Sequence, residues 1–238
     1  MNLQQCEEKL QLLMRKYGVE ASSRPKLMQR DGIFYLEEQD GEIPLLPWRQ
    51  ERRFTEMHAL KNSGRAGLPT VLRSQRLVER NRPLAAELLR ELDLCQWLMD
   101  STVKSVCAFS GGTAWNIIVT LESQAVCTIE LACALEGGQP MIDRHEINTR
   151  RGVICDRVVD TQLPQSSLYV FTSQGRQEFN DLDFELYGLM PEEVSLVREA
   201  FVVLRDSQQE ERRNAFAQLK ELEKLVYRSA EQAHCLAM

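Results

Sequence analysis

The fold of this chain is decided by two neighbouring stretches of sequence. Residues 53–73 read Arg-Phe-Thr-Glu-Met-His-Ala-Leu-Lys-Asn-Ser-Gly-Arg-Ala-Gly-Leu-Pro-Thr-Val-Leu-Arg, and residues 82–99 read Arg-Pro-Leu-Ala-Ala-Glu-Leu-Leu-Arg-Glu-Leu-Asp-Leu-Cys-Gln-Trp-Leu-Met. The first stretch predicts a helix, a turn and a strand, because an apolar helical period gives way to a glycine-rich break and a β-branched run. The second predicts a long helix, and a strand beginning at Val103 follows it.

Downstream of this helix the sequence predicts strand after strand. Strands are expected over residues 103–109, 113–121, 125–135, 141–148, 152–159 and 167–171. The short connections between them predict antiparallel neighbours, because a parallel pairing needs a crossover of a dozen or more residues. Two helices are expected to close the chain, one opening at Pro191 and one over about 208–233. The expected fold class is α+β, an open and mostly antiparallel β-sheet with helices packed on one face.

Residues 1–50 predict a separate extension, and residues 51–238 the main domain. Cys6, Leu10, Leu13, Met14 and Tyr17 share one helical face, and Gly18 is a typical helix stop. Two β-prone runs, 33–36 and 42–46, are divided by an Asp-Gly turn signal, which predicts a hairpin. Prolines at 44 and 47 make the second run an edge strand or a loop at best.

Composition excludes several function classes. The chain has 238 residues, 43% of them hydrophobic, with a net charge of −6 and a pI near 5.3. This balance argues against nucleic acid and anionic membrane surfaces as partners. The amino terminus carries no signal pattern and no apolar run approaches membrane-spanning length, so we expect a cytoplasmic protein.

Cysteine and histidine usage predicts neither a disulfide framework nor a metal site. The seven cysteines are an odd number without Cys-x-x-Cys spacing, so the expectation is that they pack as small hydrophobic residues. The three histidines, His58, His145 and His234, are scattered along the chain. No metal ligand set is therefore expected.

Taken in order, the segments from Arg53 to Trp97 and the strand at Val103 resemble the Gfo/Idh/MocA (glucose-fructose oxidoreductase-like) family. Further short matches are the strands over 117–131, the strand turn over 145–154, and Ser229-Ala-Glu-Gln-Ala in the last helix. The resemblance covers nearly the whole chain and implies the fold of the family's C-terminal domain. Only about fifty residues precede Arg53, so the expectation is a chain without the family's N-terminal Rossmann domain.

The resemblance also implies which residues would carry hydride transfer, and this sequence departs from all three of the family's motifs. It contains no Gly-x-Gly-x-x-Gly loop and no Glu-Lys-Pro. Where the family has an Asp-x-x-x-His pair, alignment of the helix over 82–99 places Ala86 and Arg90, while Asp93 matches the family's second acid. Arginine stays protonated near neutrality and cannot shuttle a proton. We therefore expect no catalytic residues, no cofactor and no metal on this chain.

Two function hypotheses remain. The first is a non-catalytic scaffold or metabolite-binding protein, and the second is the substrate-domain subunit of a split sugar or polyol oxidoreductase, with NAD or NADP supplied by a separate Rossmann-domain partner chain. Under either hypothesis a candidate anion site comprises Arg73, Arg76, Arg82, Arg90 and Asp93. The alternative is that Arg76 and Arg80 simply alternate with Leu77 and pair with Glu79. Consecutive apolar residues place apolar side chains on both faces of a strand, as at Ile117, Ile118 and Val119 and at Val158 and Val159. Because both faces must then be buried, we expect a homo-oligomer, at least a homodimer, that associates through the open face of the sheet.

Overall fold

A computed structural model describes residues 1–20, 24–39, 41–156, 168–172, 175–179, 185–186 and 188–238, with the backbone alone for 168–172 and 175–179. The chain divides into two compact units, Met1–Glu51 with Leu182–Gln218, and Arg52–Asp181 with Leu219–Met238. The amino-terminal segment of the first unit ends at Glu51. Residues 182–218, however, fall in the first unit rather than with the main domain, because their helix shares a core with the first helix of the chain.

Five helices and twelve strands are described. The helices are α1 (Leu3–Tyr17), α2 (Arg52–Asn62), α3 (Leu84–Met99), α4 (Pro191–Arg205) and α5 (Gln209–Gln232), with a 3₁₀ turn at Pro47–Gln50. The strands are β1 (Lys26–Arg30), β2 (Ile33–Glu38), β3 (Gly41–Leu45), β4 (Pro69–Glu79), β5 (Val103–Gly111), β6 (Ala114–Leu121), β7 (Val126–Leu135), β8 (Ile142–Thr149), β9 (Val153–Cys155), β10 (Leu168–Thr172), β11 (Gly175–Phe179) and β12 (Leu236–Ala237). Within the described residues, none of the helices is long and apolar enough to cross a membrane.

The first unit is built on α1, α4 and a three-stranded antiparallel sheet in the order β1-β2-β3. The predicted hairpin is present as β2 and β3, and β3 is an edge strand, as Pro44 requires. Leu10 on α1 and Val197 on α4 belong to one apolar core. Tyr17 is the exception to the predicted helical face, since it is exposed. Helix α1 ends at Gly18, whose φ of 65° is the left-handed conformation that glycine adopts most readily.

The second unit contains a nine-stranded sheet in the order β11-β10-β9-β8-β4-β7-β6-β5-β12. The prediction of a mostly antiparallel sheet is confirmed: among the described strands only β4 and β7 pair in parallel. The prediction that β7 and β8 are neighbours is wrong, because β4 lies between them. The connection over residues 136–141 is long enough to pass over one strand, a distance of about 10 Å.

One face of this sheet is buried beneath helices. Its rows run across four strands, from Trp115 through Leu131 and Arg76 to Asp143, and from Ile117 through Ile129 and Ser74 to His145. The β6 and β7 end of each row is apolar, whereas the β4 and β8 end is polar. On the opposite face, Ile118 is 41% exposed while its neighbours Ile117 and Val119 are buried. Val158 and Val159 lie outside the described residues.

The expectation for the cysteines is wrong for one pair. Cys107 on β5 and Cys235, next to β12, form a disulfide. The five others, Cys6, Cys95, Cys127, Cys133 and Cys155, are buried thiols, as predicted. Sequence spacing gave no signal for the pair because its members are 128 residues apart.

Candidate functional site

Two adjacent strands carry polar side chains onto the buried face of the large sheet. On β4 the residues of even number turn inward, so Ser74 and Arg76 are buried between Leu72 and Val78. On β8, which pairs with β4, His145 lies opposite Ser74 and Asp143 lies opposite Arg76. This register places four polar side chains side by side in the interior.

Helix α3 covers these strands with charged side chains of its own. Glu87, Arg90 and Glu91 lie three and four residues apart, a spacing that groups them on one side of a helix. All three are buried, and Glu91 is completely inaccessible. Arg53, at the start of α2, and Asp156, just after β9, complete the group. We refer to Arg53, Ser74, Arg76, Glu87, Arg90, Glu91, Asp143, His145 and Asp156 as the buried ion cluster.

Asp143 is the centre of the cluster. Its Oδ2 atom accepts hydrogen bonds from Arg53 Nη2 at 2.6 Å, Arg76 Nη1 at 2.7 Å and Arg90 Nη2 at 3.1 Å. Burial alone would raise the pKa of this carboxyl, but the three guanidinium groups outweigh burial and hold the pKa well below its usual range. Asp143 is therefore a carboxylate, and each arginine donates to it in a charge-assisted bond.

His145 lies between two further carboxylates. Its Nε2 atom is 2.9 Å from Glu91 Oε2, and its Nδ1 atom is 3.3 Å from Asp156 Oδ2. Burial opposes the charged imidazolium, yet Glu91 and Asp156 raise the pKa of His145 to about 9. The pKa of Glu91 shifts in the opposite direction. Burial would raise it, but Arg90 and His145 lower it to about 2. Near neutral pH, His145 is a cation that donates from both ring nitrogens.

The remaining contacts saturate the cluster. Ser74 donates its hydroxyl to Glu91 Oε2, and Glu87 accepts from Arg76 Nε. The ring of Phe54 meets His145 edge-on at 4.6 Å and carries the Arg53 guanidinium over its face at 4.3 Å. Four cations, Arg53, Arg76, Arg90 and His145, are thus balanced by four carboxylates, Glu87, Glu91, Asp143 and Asp156. Pairing of this kind is what permits charges to be buried.

Three members of the cluster resemble a metal ligand set. Ligand atoms of Glu91, Asp143 and His145 all lie within 4.8 Å of one another. The surroundings do not fit a metal ion, however. Asp143 Oδ2 already accepts hydrogen bonds from Arg76 and Arg90, and a protonated His145 has no nitrogen lone pair with which to bind a metal ion. A divalent cation would have to be bound among three guanidinium groups, so the chemistry of this group is that of an ion-pair network.

The structure separates the five residues of the predicted anion site. Arg76 and Arg90 are buried in the ion cluster, and Arg82, at its margin, is 3.3 Å from Glu87. Arg73 lies on the opposite face of β4, its side chain 68% exposed and its Nη1 atom 3.5 Å from Glu146. Asp93 is buried on α3, less than one turn beyond Arg90. Binding of a ligand by these residues stays a prediction.

Sequence reasoning missed most of the cluster. Arg53, Ser74, Glu87, Glu91, Asp143, His145 and Asp156 were not predicted to form a site. A signal did exist on β4, where Ser74 and Arg76 lie on the same face of the strand as the buried Leu72 and Val78. Polar side chains on a buried face indicate that they have buried hydrogen-bonding partners. Which partners they meet depends on the pairing of β4 with β8, and that pairing is not local in sequence.

Comparisons with solved structures identify the fold. An oxidoreductase from Agrobacterium radiobacter in complex with NAD+, L-tartaric acid and magnesium matches with a TM-score of 0.62 and 15% identity, covering 80% of this chain and 63% of that one. An oxidoreductase domain protein from Kribbella flavida matches at 0.63 and 12%, covering 81% and 65%. The apo scyllo-inositol dehydrogenase from Lactobacillus casei matches at 0.57 and 12%, covering 81% and 62%. Protein-family models and curated protein sequences give no match.

These proteins are similar to this chain in fold. The fold is thus that of a class of dehydrogenases and related oxidoreductases, and the predicted resemblance to Gfo/Idh/MocA-type oxidoreductases is confirmed at this level. The chain spans about 62–65% of the length of the solved structures cited. At identities of 11–17% the likeness concerns the fold alone.

Proposed function

We propose that this chain is a non-catalytic, oxidoreductase-like protein that acts in the cytoplasm as a homo-oligomeric scaffold or metabolite-binding subunit. The observation that carries the proposal is the position of Arg90. It stands where the resembling family has its proton-transferring histidine, and its guanidinium is bonded to Glu91 and Asp143 in the buried ion cluster.

The chemistry of Arg90 and its surroundings supports the proposal that this chain does not catalyse hydride transfer. Oxidation of a hydroxyl group requires a base that can take up its proton, with a pKa near the working pH. Arg90 remains protonated, and Ala86, where the family has its aspartate, does not titrate. His145, the nearby histidine, is charged and enclosed by Glu91 and Asp156. It is therefore unsuited to act as a base for a bound alcohol.

Calorimetric titration with NAD+, NADH, NADP+ and NADPH tests the proposal directly. We expect no binding tighter than about 100 μM, on the order of −5.5 kcal/mol, and no reduction of NAD+ or NADP+ with sugars or polyols. A levoglucosan dehydrogenase, solved in complex with NADH and levoglucosan, provides the positive control. Tighter cofactor binding, or turnover by the chain alone, would contradict a non-catalytic role.

The alternative is a substrate-domain subunit of a split NAD(P)-dependent oxidoreductase. Its support is the fold, which is that of dehydrogenases and related oxidoreductases. Co-expression with a Rossmann-domain chain encoded beside this gene, followed by a dehydrogenase assay, distinguishes the two functions. Activity that needs both chains would establish the split enzyme, and a complex without activity would favour the scaffold.

A metabolite-binding role is tested at the most accessible arginine of the cluster margin. Arg82 has a side chain 36% exposed and lies 3.3 Å from Glu87. The probe is L-tartrate, the dicarboxylate bound by the Agrobacterium neighbour. We expect L-tartrate to raise the thermal midpoint of the wild type and of an Arg80→Gln control, but not of Arg82→Gln. An equal response in all three proteins would exclude this site.

A further inference from the structure

The carboxy-terminal residues 234–238 lie along one edge of the large sheet. Leu236 pairs with Val106 and Ala237 with Ser105, and Met238 N donates to Lys104 O at 3.0 Å. These residues therefore cover the edge of β5 that β6 leaves free. We refer to residues 234–238 as the tail and to this edge as the β5 edge.

The non-covalent hold on the tail is weak. Strand β12 has only two residues, and all tail residues are exposed except Leu236, which is half-buried. So short a pairing with so little apolar burial is not stable by itself. The Cys107–Cys235 disulfide is the covalent link between the tail and β5, and it adds to the hydrogen bonds of Met238 with Lys104 and of His234 with Ser229.

The chain upstream of the tail is anchored independently. Ser229 in α5 is fully buried, and its hydroxyl accepts a hydrogen bond from Ala108 N at 3.0 Å. The first tail residue follows the turn at Ala233, whose φ is 49°, and is bonded to this anchor: Ser229 Oγ donates to His234 O at 2.6 Å, and His234 N donates to Ser229 O at 3.2 Å. Opening of the disulfide would therefore release residues 235–238 while α5 and His234 stay in place.

We propose that Cys107 and Cys235 form a reversible redox site that controls whether the tail covers the β5 edge. Cys235 is an exposed residue and Cys107 is half-buried, whereas the five other cysteines are buried thiols, so this pair is the one that an external thiol can approach. This inference does not depend on the proposed function.

The reaction is thiol–disulfide exchange with a dithiol reductant or with glutathione. A thiolate attacks Cys235 Sγ, the Cys107–Cys235 bond breaks, and the Cys107 thiolate leaves and takes up a proton. A second thiol then attacks the mixed disulfide and frees Cys235 as a thiol. The protein gains two electrons and two protons, and the reductant becomes a disulfide. Oxidised glutathione drives the reverse reaction.

The test is to equilibrate the whole protein with graded ratios of reduced to oxidised glutathione. Maleimide labelling with peptide mass spectrometry reports the Cys107–Cys235 bond, and hydrogen exchange reports the β5 edge. We expect exchange in residues 103–107 and 235–238 to become about tenfold faster or more on reduction, as for local opening. Residues 126–135 of β7 should not respond.

Two variants complete the experiment. Cys235→Ser should exchange rapidly at the β5 edge under both conditions, whereas the control Cys133→Ala should respond to glutathione like the wild type. Circular dichroism verifies that each variant folds, and the wild-type measurement stands without them. The proposal is overturned if the bond resists every glutathione ratio, or if the reduced protein exchanges no faster at residues 103–107.

Discussion

Arg76 on β4 and Asp143 on β8 are cross-strand partners, and the Arg76 Nη1 atom lies 2.7 Å from Asp143 Oδ2 in the interior of the second unit. The pair occupies a sheet row whose other end is the apolar pair Trp115 and Leu131. Replacement of a single partner would upset the charge balance of the cluster at a place where Arg76 is buried and the Asp143 side chain is only 12% exposed. The sheet therefore depends on the intact pair.

Two arginines of β4 offer a matched comparison of buried and exposed charge. Arg76→Met removes a cation that Glu87 and Asp143 require, so we expect a loss of about 3–5 kcal/mol in the free energy of unfolding. Arg73→Met, on the opposite face, should cost no more than about 1 kcal/mol. Urea unfolding followed by tryptophan fluorescence measures both. Equal losses would show that the cluster contributes nothing beyond surface charge.

The ion cluster predicts a stability maximum in weak acid. The pKa of His145 is raised from 6.5 to about 9, so its contribution is complete below pH 6.5 and is lost as the pH rises through 9. The pKa of Glu91 is lowered from 4.5 to about 2, so its contribution is present above pH 4.5 and is lost as the pH falls through 2. We expect the maximum between about pH 4.5 and 6.5, with a loss above it of at most about 3 kcal/mol.

An NMR titration of the imidazole groups measures the pKa of His145, on which this prediction depends. His145 should remain protonated at pH 8, unlike an ordinary histidine. The signal is assigned by its absence from a His145→Gln variant. If His145 titrates at or below pH 6.5, the assignment of its charge is wrong and the predicted decline in stability above pH 6.5 disappears.

The open face of the sheet predicts self-association. Phe109 and Ile118 are 53% and 41% exposed on neighbouring strands, and apolar side chains on a sheet face favour burial against a second copy. We expect the wild type to sediment as a dimer or larger at micromolar concentration and Ile118→Glu to dissociate. Leu68→Glu, at an exposed position just before β4, is the control and should leave the assembly intact. A monomeric wild type would contradict the prediction.

The end of α1 provides a backbone test. Gly18 has a φ of 65°, so an alanine there is strained, and Gly18→Ala should destabilise the first unit by about 1 kcal/mol. Gly111→Ala is the control, since Gly111 does not have a positive φ and an added Cβ would approach no atom closer than 3.9 Å. Denaturation curves should therefore shift for the first variant alone.

Sequence patterns predicted most of the secondary structure, because helical and strand periods are local properties. The last two helices, for example, lie at Pro191–Arg205 and Gln209–Gln232, close to the expected positions. The position of β4 was not predictable in this way, since its paired residues on β7 and β8 lie some 55–80 residues further along the chain. The same non-local pairing brings Arg76 to Asp143 and His145 to Ser74. The ion cluster and the strand order could not be predicted for the same reason, which is that both depend on pairing between strands distant in sequence.

The placement of β4 has a consequence for how the protein is made. During synthesis, β4 leaves the ribosome before residues 126–149 of its two partner strands exist. Both rows of its backbone amides and carbonyls then have no native partner, and Arg76 lacks its partner Asp143. The centre of the sheet must be completed by strands that are translated after it. A pause in translation between residues 80 and 126 would therefore prolong the period in which this chain is most prone to aggregate.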